Sequence, residues 1–307
     1  MGRNLTYGLI ILAVVVVGAL AWLYTPDETR AVLTAKYAQP PSQFLNVAGA
    51  ELHVRDTGPK AAPAVILLHG FGASLQTWED WARELQSDHR VIRYDMPGFG
   101  LTGADPSGDY TDARNVAILL ALMDQLGVAR ASIVGNSMGG RIAWTFAALH
   151  PERVDKLVLV SPDGFASREM EYGAAPKVPL LMRALPYVLP SFMLRASLAP
   201  AYANAAVMTP ALFRRYRDMM LAPGVRRAIV QRMSQQVLVD PVPLLKRIEA
   251  PTLLMWGEMD RMIPFANSTD YLRALPHATL AALPGVGHLP QEEAPATVGI
   301  LREFLDH

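Results

Sequence analysis

The chain contains no cysteine and no excess of charge of either sign. Its 307 residues include 28 basic and 28 acidic side chains, so the formal net charge is zero, and 51% of the residues are hydrophobic. The lack of cysteine excludes disulfides and thiolate metal sites. The balanced charge gives no reason to expect a nucleic-acid partner, and the hydrophobic content excludes extended disorder. A globular protein remains, with either one large α/β domain carrying an insertion or two domains.

The N-terminal segment is the longest stretch without charge. No charged residue occurs from Asn4 to Pro26, and at about 1.5 Å per residue Leu5 to Tyr24 could span a hydrocarbon core of roughly 30 Å. We therefore predict that residues 1–25 form a single-pass membrane anchor. A cleaved signal peptide is the alternative, because Ala19-Leu20-Ala21 fits a cleavage site. Arg3 weakly favours a cytoplasmic amino terminus, which would place the catalytic domain outside the cytoplasm.

After a predicted linker, residues 26–42, short apolar runs alternate with helical patterns. Phe44 to Val47 and Glu51 to Asp56 predict an antiparallel hairpin. Buried parallel strands are predicted at Val65–Leu68, Val91–Tyr94, Ser132–Val134, Leu157–Val160 and Thr252–Trp256, with helices at Thr77–Leu85, Asn115–Leu126 and Met138–Leu149. This alternation indicates βαβ units and an α/β fold with helices on both faces of the sheet. The predicted core covers residues 43–164 and 246–307.

Between these two parts, residues 165–245 break the alternation. The segment is rich in methionine, is cut by nine prolines, and carries ten basic side chains against four acidic ones. An inserted helical cap with a net charge of about +6 fits this composition. Apolar stretches beside Arg183 and Arg195 would suit an element that contacts acyl chains and anionic head groups.

A G-x-S-x-G pentapeptide, Gly135-Asn136-Ser137-Met138-Gly139, lies between a predicted strand and a predicted helix. A serine on such a turn presents its hydroxyl above the sheet edge, and small flanking residues allow the sharp backbone path. The start of the helix favours developing negative charge. The context predicts that Ser137 is a catalytic nucleophile.

A serine nucleophile needs a base and an acid that orients the base. Of the seven histidines, His288 is preferred because the glycine-rich loop Gly285–Pro290 could carry it over the sheet edge, whereas His69 is expected to shape its loop. The acid should lie between Ser137 and His288 in chain order and follow a strand. Asp260 fits this place, and Asp163 and Glu258 are the alternatives. The expected oxyanion donors are the backbone N–H groups of Met138 and Phe71.

At these residues the chain resembles the α/β-hydrolase fold superfamily. The resemblance rests on His-Gly-Phe-Gly at His69, Asp-Met-Pro-Gly-Phe-Gly at Asp95, Gly-Asn-Ser-Met-Gly-Gly at Gly135, Trp-Gly-Glu-Met-Asp at Trp256 and Gly-Val-Gly-His at Gly285. It implies a mostly parallel eight-stranded sheet and catalysis without a cofactor or metal. Two groups are similar at the nucleophile motif. One contains small bacterial lipases and membrane-anchored monoacylglycerol lipases, and the other contains hydrolases that cleave carbon–carbon bonds in ring-fission products.

The anchor and the cap favour the first group. We therefore expect a membrane-associated lipase or esterase whose partners are a lipid or other apolar ester and the membrane itself, with no obligate protein partner. Carbon–carbon cleavage is the alternative within the same fold, because both chemistries use the same three residues. A non-catalytic, membrane-tethered binding protein is the alternative from a different class.

Overall fold

The computed structural model describes Tyr7, Ile10, Val14, Gly18 and residues 23–166, 171–174 and 178–307. One sheet of eight strands runs through it, in the order β1-β2-β4-β3-β5-β6-β7-β8. The strands are β1 Ser42–Val47, β2 Ala50–Thr57, β3 Ala64–Leu68, β4 Arg90–Tyr94, β5 Ala131–Asn136, β6 Val154–Val160, β7 Thr252–Gly257 and β8 Ala278–Leu283. The predicted eight-stranded sheet is confirmed.

The sheet is antiparallel only at its N-terminal edge. β1 pairs with β2 and β2 with β4 in antiparallel register, and every later neighbour is parallel. Successive residues of β3 point to opposite faces, so that Ile66 belongs to the larger apolar cluster and Val65 to the smaller one. Both faces are therefore covered, which is why the central strands are apolar without alternation.

Helices connect the parallel strands and cover the sheet. They are α1 Arg30–Tyr37, α2 Glu79–Leu85, α3 Asp112–Gln125, α4 Met138–Leu149, α5 Ser191–Leu198, α6 Pro210–Met220, α7 Val225–Gln235, α8 Val242–Leu245, α9 Asn267–Ala274, α10 Pro290–Glu293 and α11 Val298–Asp306. Short 3₁₀ turns lie at Leu75–Trp78, Pro151–Arg153, Leu180–Ala184, Ala199–Ala201, Ala205–Val207 and Pro295–Thr297. The helices predicted at residues 115–126 and 138–149 correspond to α3 and α4.

The regular elements described within the predicted cap are all helices or 3₁₀ turns. Its elements are α5, α6, α7, α8 and three of the 3₁₀ turns, with no strand among the described residues of 165–245. Prolines begin several of these elements, as Pro210 does for α6, because proline is tolerated at the first helical position. The limits of the cap, 165 and 245, remain a prediction.

The predicted linker, residues 26–42, holds a helix that packs on the domain. Thr29 accepts a hydrogen bond from Val32 N at the start of α1, and Leu33 is completely buried. Asp27 pairs with the buried Arg226 of α7 at 2.6 Å, and Thr25 N donates to Tyr187 O at 2.8 Å. The polar residues that suggested a linker lie on the exposed face of α1 or form contacts such as the Asp27–Arg226 ion pair.

The predicted transmembrane helix falls largely on residues that the structure does not describe. Within the part of the chain that the structure describes, no helix has the length and apolar character needed to cross a membrane. Most of the predicted anchor, residues 1–25, lies outside the described residues. The anchor stays a prediction.

Candidate active site

Ser137 occupies a sharp turn between β5 and α4. Its backbone has φ 54° and ψ −121°, a conformation that costs a non-glycine residue about 1–3 kcal/mol. Ser137 N donates to Val160 O at 3.0 Å, and Ser137 O accepts from Asp163 N at 3.0 Å. These bonds to the end of β6 and the loop after it hold the serine in its strained conformation above the carboxyl edge of the sheet.

The glycines of the pentapeptide allow a close approach of three backbone segments. A Cβ on Gly139 would lie 2.3 Å from Leu68 O and 2.5 Å from His69 O, and a Cβ on Gly135 would lie 2.3 Å from Gly139 O. No side chain fits at either distance. α4 can therefore start directly beneath the loop that follows β3, which brings that loop beside Ser137.

His288 and Asp260 form a buried hydrogen-bonded pair. The distance from His288 Nδ1 to Asp260 Oδ2 is 2.7 Å, and the residues are 3% and 7% exposed. Asp260 Oδ1 accepts from Met262 N at 2.8 Å and Ile263 N at 2.9 Å. A carboxylate oxygen can only accept, so Nδ1 carries a proton and Nε2 of a neutral His288 is left as a base.

The two alternative acids lie in other environments. Asp163 Oδ2 accepts from Arg141 Nη1 at 2.7 Å, and Arg141 also pairs with Asp112 at 3.1 Å. Glu258 is exposed to solvent. Among the three candidates, Asp260 is the one whose carboxylate binds His288.

The loop that carries His288 is bound on both sides. His288 N donates to Ala201 O of the cap at 2.8 Å, and His288 O accepts from Asn136 Nδ2 at 3.1 Å. Asn136 Nδ2 also donates to Val160 O at 3.1 Å. Asn136, the residue before Ser137, therefore connects the β5 turn directly to the histidine loop.

His69 shapes the loop after β3, as its position predicts. Its Nδ1 lies 2.8 Å from Gly70 O, and its Nε2 accepts from Met96 N at 2.9 Å. This arrangement requires a neutral ring with the proton on Nδ1. Burial lowers the pKa of His69, although the nearby charge of Asp95 opposes the shift. His69 fixes the Gly70 carbonyl and hence the path of the next residue, Phe71.

Asp95 supports the same loops from below. Its carboxylate accepts from Leu75 N at 2.7 Å, from Leu101 N at 2.7 Å and from His53 Nδ1 at 2.8 Å. Burial alone would raise its pKa, but the contacts with His53 and the backbone outweigh burial and lower it. The Asp-Met-Pro-Gly-Phe-Gly motif at Asp95 is explained by its role in loop structure.

Ser137, His288 and Phe71 line one cavity of about 70 Å³. The cap contributes its roof through α5, the following 3₁₀ turn and α6. The lining residues are Gly70, Phe71, Ala73, Asn136, Ser137, Ser197, Leu198, Ala201, Tyr216, Met262, His288 and Leu289. Ligand pockets usually measure about 300–1,000 Å³. Larger surface depressions of about 530 and 540 Å³ lie away from Ser137. We take the small cavity as the candidate site, because it contains both Ser137 and His288.

Of the two predicted oxyanion donors, Phe71 lines this cavity and Met138 directly follows the lining residue Ser137 in the chain. Met138 N is the first N–H of α4 and has no acceptor within the helix, as is general for a helix start. Phe71 is 46% exposed. The five residues predicted from the sequence come from four separate loops. Ser137, His288 and Phe71 line the cavity, Asp260 is bonded to His288, and Met138 follows Ser137 in the chain. Their roles in catalysis are taken up as a proposal below.

Comparison with known proteins agrees with this architecture. The family model described as "alpha/beta hydrolase fold" matches residues 63–295. The chain belongs to the α/β-hydrolase fold family. The match covers β3 to β8 and the cap, and it confirms the superfamily resemblance. The finer resemblance to membrane-anchored monoacylglycerol lipases is not shown.

Two kinds of relative are similar to this α/β-hydrolase. The 2-hydroxy-6-oxononadienedioate/2-hydroxy-6-oxononatrienedioate hydrolase 2 of Pseudomonas putida is 30% identical over 275 residues, which are 84% of this chain and 92% of that protein. The solved meta-cleavage product hydrolase from Pseudomonas fluorescens IP01 has 26% identity and a TM-score of 0.74, covering 86% and 97%. A solved membrane phospholipase A, described as a bacterial virulence factor, has 27% identity and a TM-score of 0.74, covering 100% and 98%. The names of the curated relatives favour hydrolysis of a carbon–carbon bond over the ester hydrolysis that the sequence analysis preferred.

Sequence reasoning left two acidic residues of this α/β-hydrolase unassigned. Glu292 and Glu293 follow His288 by four and five residues, and both carboxylates bind the cap. The one feature of the sequence that could have drawn attention to them is that they lie close to His288 in the chain. Their partners in the cap could not be read from the sequence, because those partners lie 76 to 90 residues earlier.

Proposed function

We propose that this α/β-hydrolase is a serine hydrolase that forms an acyl-enzyme on Ser137. The observation that carries the proposal is the 2.7 Å contact between His288 Nδ1 and Asp260 Oδ2 beside a serine on a strained strand-to-helix turn. That contact fixes the tautomer in which His288 Nε2 can remove a proton from Ser137. Asp260 would also stabilise the imidazolium that results.

The reaction has two balanced halves. In the first, Ser137 Oγ attacks the substrate carbonyl carbon as its proton moves to His288 Nε2, and the carbonyl electrons form an oxyanion. The N–H groups of Phe71 and Met138 would stabilise this oxyanion. Its collapse breaks the bond to the leaving group, which takes the proton from His288. In the second half, water attacks the acyl-enzyme by the same route and releases the acid and Ser137.

For the substrate, we place an ester of an apolar acid first. The cavity wall offers Phe71, Leu198, Met262 and Leu289 to the substrate, and neither lysine nor arginine is among its lining residues. An apolar acyl chain gains free energy by leaving water in such a site. An anionic ring-fission acid would be desolvated there without a counter-charge from the described lining residues.

A membrane location, which we also propose, would favour the same choice of substrate. Leu180, Leu181 and Phe192 of the cap are 80%, 66% and 73% exposed. Tyr24, at the end of the uncharged N-terminal segment, pairs with Val188 in the same part of the cap. The similarity to the membrane phospholipase A also extends over the N-terminal segment, since it covers the whole chain. We propose that the cap faces an anionic membrane on the extracytoplasmic side.

Carbon–carbon hydrolysis of a ring-fission product is the second candidate. It is supported by the names of the curated relatives, at 30% identity over most of their length. The same three residues would act, but the leaving group would be a carbon that must be protonated. The site geometry of Ser137, His288 and Asp260 serves either reaction.

The experiment is a panel of three substrates offered to the full chain in mild detergent. These are p-nitrophenyl butyrate, a medium-chain monoacylglycerol and a ring-fission dienoate, each also tested with Ser137→Ala. The ester proposal expects kcat/KM for the esters to exceed that for the dienoate, with all activity dependent on Ser137. A preference for the dienoate would replace the ester proposal by the second candidate.

A further inference from the structure

Glu292 is a buried carboxylate that joins the cap to the chain segment next to His288. Its side chain is 6% exposed and lies on α10, which begins two residues after the histidine. A buried carboxylate is costly unless it is fully paired, so its partners indicate what holds it there.

Four side chains donate to this carboxylate. Thr77 Oγ1 donates to Oε1 at 2.8 Å, and Arg215 Nη2 forms a short ion pair with the same oxygen. Tyr202 and Tyr216 donate their hydroxyls to Oε2 at 2.5 and 3.1 Å. Three of the four donors belong to the cap. The fourth, Thr77, belongs to the 3₁₀ turn after β3.

The cap donors around the Glu292 carboxylate are two neutral hydroxyls and one cation. Burial raises the pKa of Tyr202 and of Tyr216, and the charge of Glu292 adds to both shifts, so both hydroxyls keep their protons. Burial alone would lower the pKa of Arg215, but Glu292 reverses the shift and raises it. The carboxylate therefore accepts from neutral tyrosines and a permanent cation.

A second set of bonds connects the same segment to the cap through the backbone. Glu293 accepts from Gly287 N at 2.7 Å and from Ala203 N at 3.1 Å, on either side of the junction. His288 N donates to Ala201 O. The stretch from Ala201 to Ala203 thus lies directly against the residues that hold the imidazole.

The cap residues bound by Glu292 are close to the reacting groups. Tyr216 and Ala201 line the same cavity as Ser137 and His288. Displacing Tyr216 or Tyr202 from Glu292 would change the wall of that cavity and the support of α10 together. A displacement of about 1 Å at a catalytic group can lower a rate by about a hundredfold.

We propose that Glu292 is a positioning residue, through which the docked cap holds His288 in place to serve Ser137. The inference rests on the proposed function, since it assigns His288 the role of base. Glu292 acts through Tyr202, Tyr216 and Arg215 on one side and through α10 on the other. Glu292 is not among the described residues that line the cavity of Ser137 and His288.

The test compares Glu292→Gln with Asp56→Asn in the full chain. Asp56 is a matched control, because its side chain is 7% exposed and pairs with Arg90 at 2.8 Å on the N-terminal side of the sheet. Each change replaces a buried, arginine-paired carboxylate by its amide. We measure the rate at which a fluorophosphonate labels Ser137, kcat and KM for p-nitrophenyl butyrate, and Tm.

Both variants should lower Tm, and only Glu292→Gln should slow the chemistry. We expect its labelling rate and kcat to fall about tenfold or more, with KM changed by less than about threefold. The low-field proton resonance of His288 Nδ1–H should shift or broaden in this variant alone. Tyr202→Phe removes one donor from Glu292 and should reduce the labelling rate by a smaller factor.

If Glu292→Gln and Tyr202→Phe lower Tm but label at the wild-type rate, Glu292 has only a structural role and the inference is wrong. Should Glu292→Gln fail to fold, Tyr202→Phe decides the question by the same readouts. A folded wild-type chain that is not labelled at Ser137 would instead refute the proposed function, which keeps the two failures distinct.

Discussion

Asp260 binds His288 at 2.7 Å, although 28 residues separate them in the chain. The contact exists because β7 and β8 are parallel neighbours, so the loops after both strands leave the same edge of the sheet. Asp163 follows β6, one strand further in, where Arg141 binds its carboxylate. The competing carboxylate is therefore occupied by a structural ion pair.

The first prediction separates these two acids. Asp260→Asn should lower kcat on the order of a thousandfold or more, because an amide at this place favours the wrong histidine tautomer. Asp163→Asn should change kcat by less than about tenfold and lower the stability instead, since the buried Arg141 loses a partner. Steady-state kinetics and thermal unfolding of both variants provide the check. The reverse ranking of kcat would assign the acid to Asp163.

The second prediction concerns the packing beneath the nucleophile. Gly139→Ala places a Cβ 2.3 Å from Leu68 O, so it should destabilise the protein by about 3 kcal/mol or more, or prevent folding. Gly299→Ala is the matched control, because no atom lies within 4 Å of its Cβ and it is an exposed position of α11. This change should stabilise by about 0.5–1 kcal/mol. Equal stabilities in urea unfolding would contradict the close approach of α4 to β3.

A third prediction follows from the neutral state of His69. Because its pKa is lowered in the folded protein, the unfolded chain binds more protons, and the stabilising contribution is lost as pH falls below the unfolded value of about 6.5. Asp95 adds to the loss at lower pH, since its pKa is also lowered and its contribution disappears as it becomes protonated in the folded state.

Tm should therefore fall from pH 8 to pH 5. His69→Gln should show a lower Tm at pH 8 and a shallower dependence of Tm on pH across this range. A variant with the same slope as the wild type would show that His69 does not titrate as its buried contacts require.

The fourth prediction tests the membrane-facing cap. A chain that begins at Tyr24 keeps the Asp27–Arg226 pair, so it should fold and hydrolyse a short ester normally. It should bind anionic vesicles more weakly than the full chain and lose that binding in 1 M salt, where the screening length is about 3 Å. In the full chain, the double variant Leu180→Gln, Phe192→Gln should also weaken vesicle binding relative to the wild type.

Leu272→Gln is the control for this face, because Leu272 is 37% exposed on α9, outside the cap. Vesicle co-sedimentation measures all four proteins. Equal binding by the cap variant and the control would show that the apolar cap face does not contact lipid.

The sequence was sufficient for the parts of the fold that depend on local patterns. The apolar runs of β3 and β5 and the G-x-S-x-G turn between β5 and α4 lie where periodicity and glycine spacing place them. The contact between His288 and Asp260 follows from chain order and strand ends, which determine which loops meet at the sheet edge. These are regularities of parallel sheets, and they need no knowledge of side-chain packing.

Contacts between distant segments could not be predicted in this way. α1 looked like a linker, because its burial depends on one residue, Leu33, and on ion pairs such as Asp27 with Arg226, some 199 residues apart. Glu292 was missed because its four donors come from two other parts of the chain. Ser137, His288 and Asp260 do not distinguish ester hydrolysis from carbon–carbon hydrolysis, because the same three residues would serve both. The sequence analysis preferred an ester, whereas the names of the curated relatives favour carbon–carbon hydrolysis.

The most direct test of the central claim is the covalent labelling of Ser137. The full chain is treated with a fluorophosphonate, digested, and analysed by mass spectrometry, with Ser137→Ala as the control. We expect one adduct per molecule on the peptide containing Ser137 and none on the alanine variant, whose catalytic rate should fall on the order of 10⁴-fold or more. A folded wild-type protein that takes up no label, or takes it up at another residue, would contradict the assignment of Ser137 as the nucleophile.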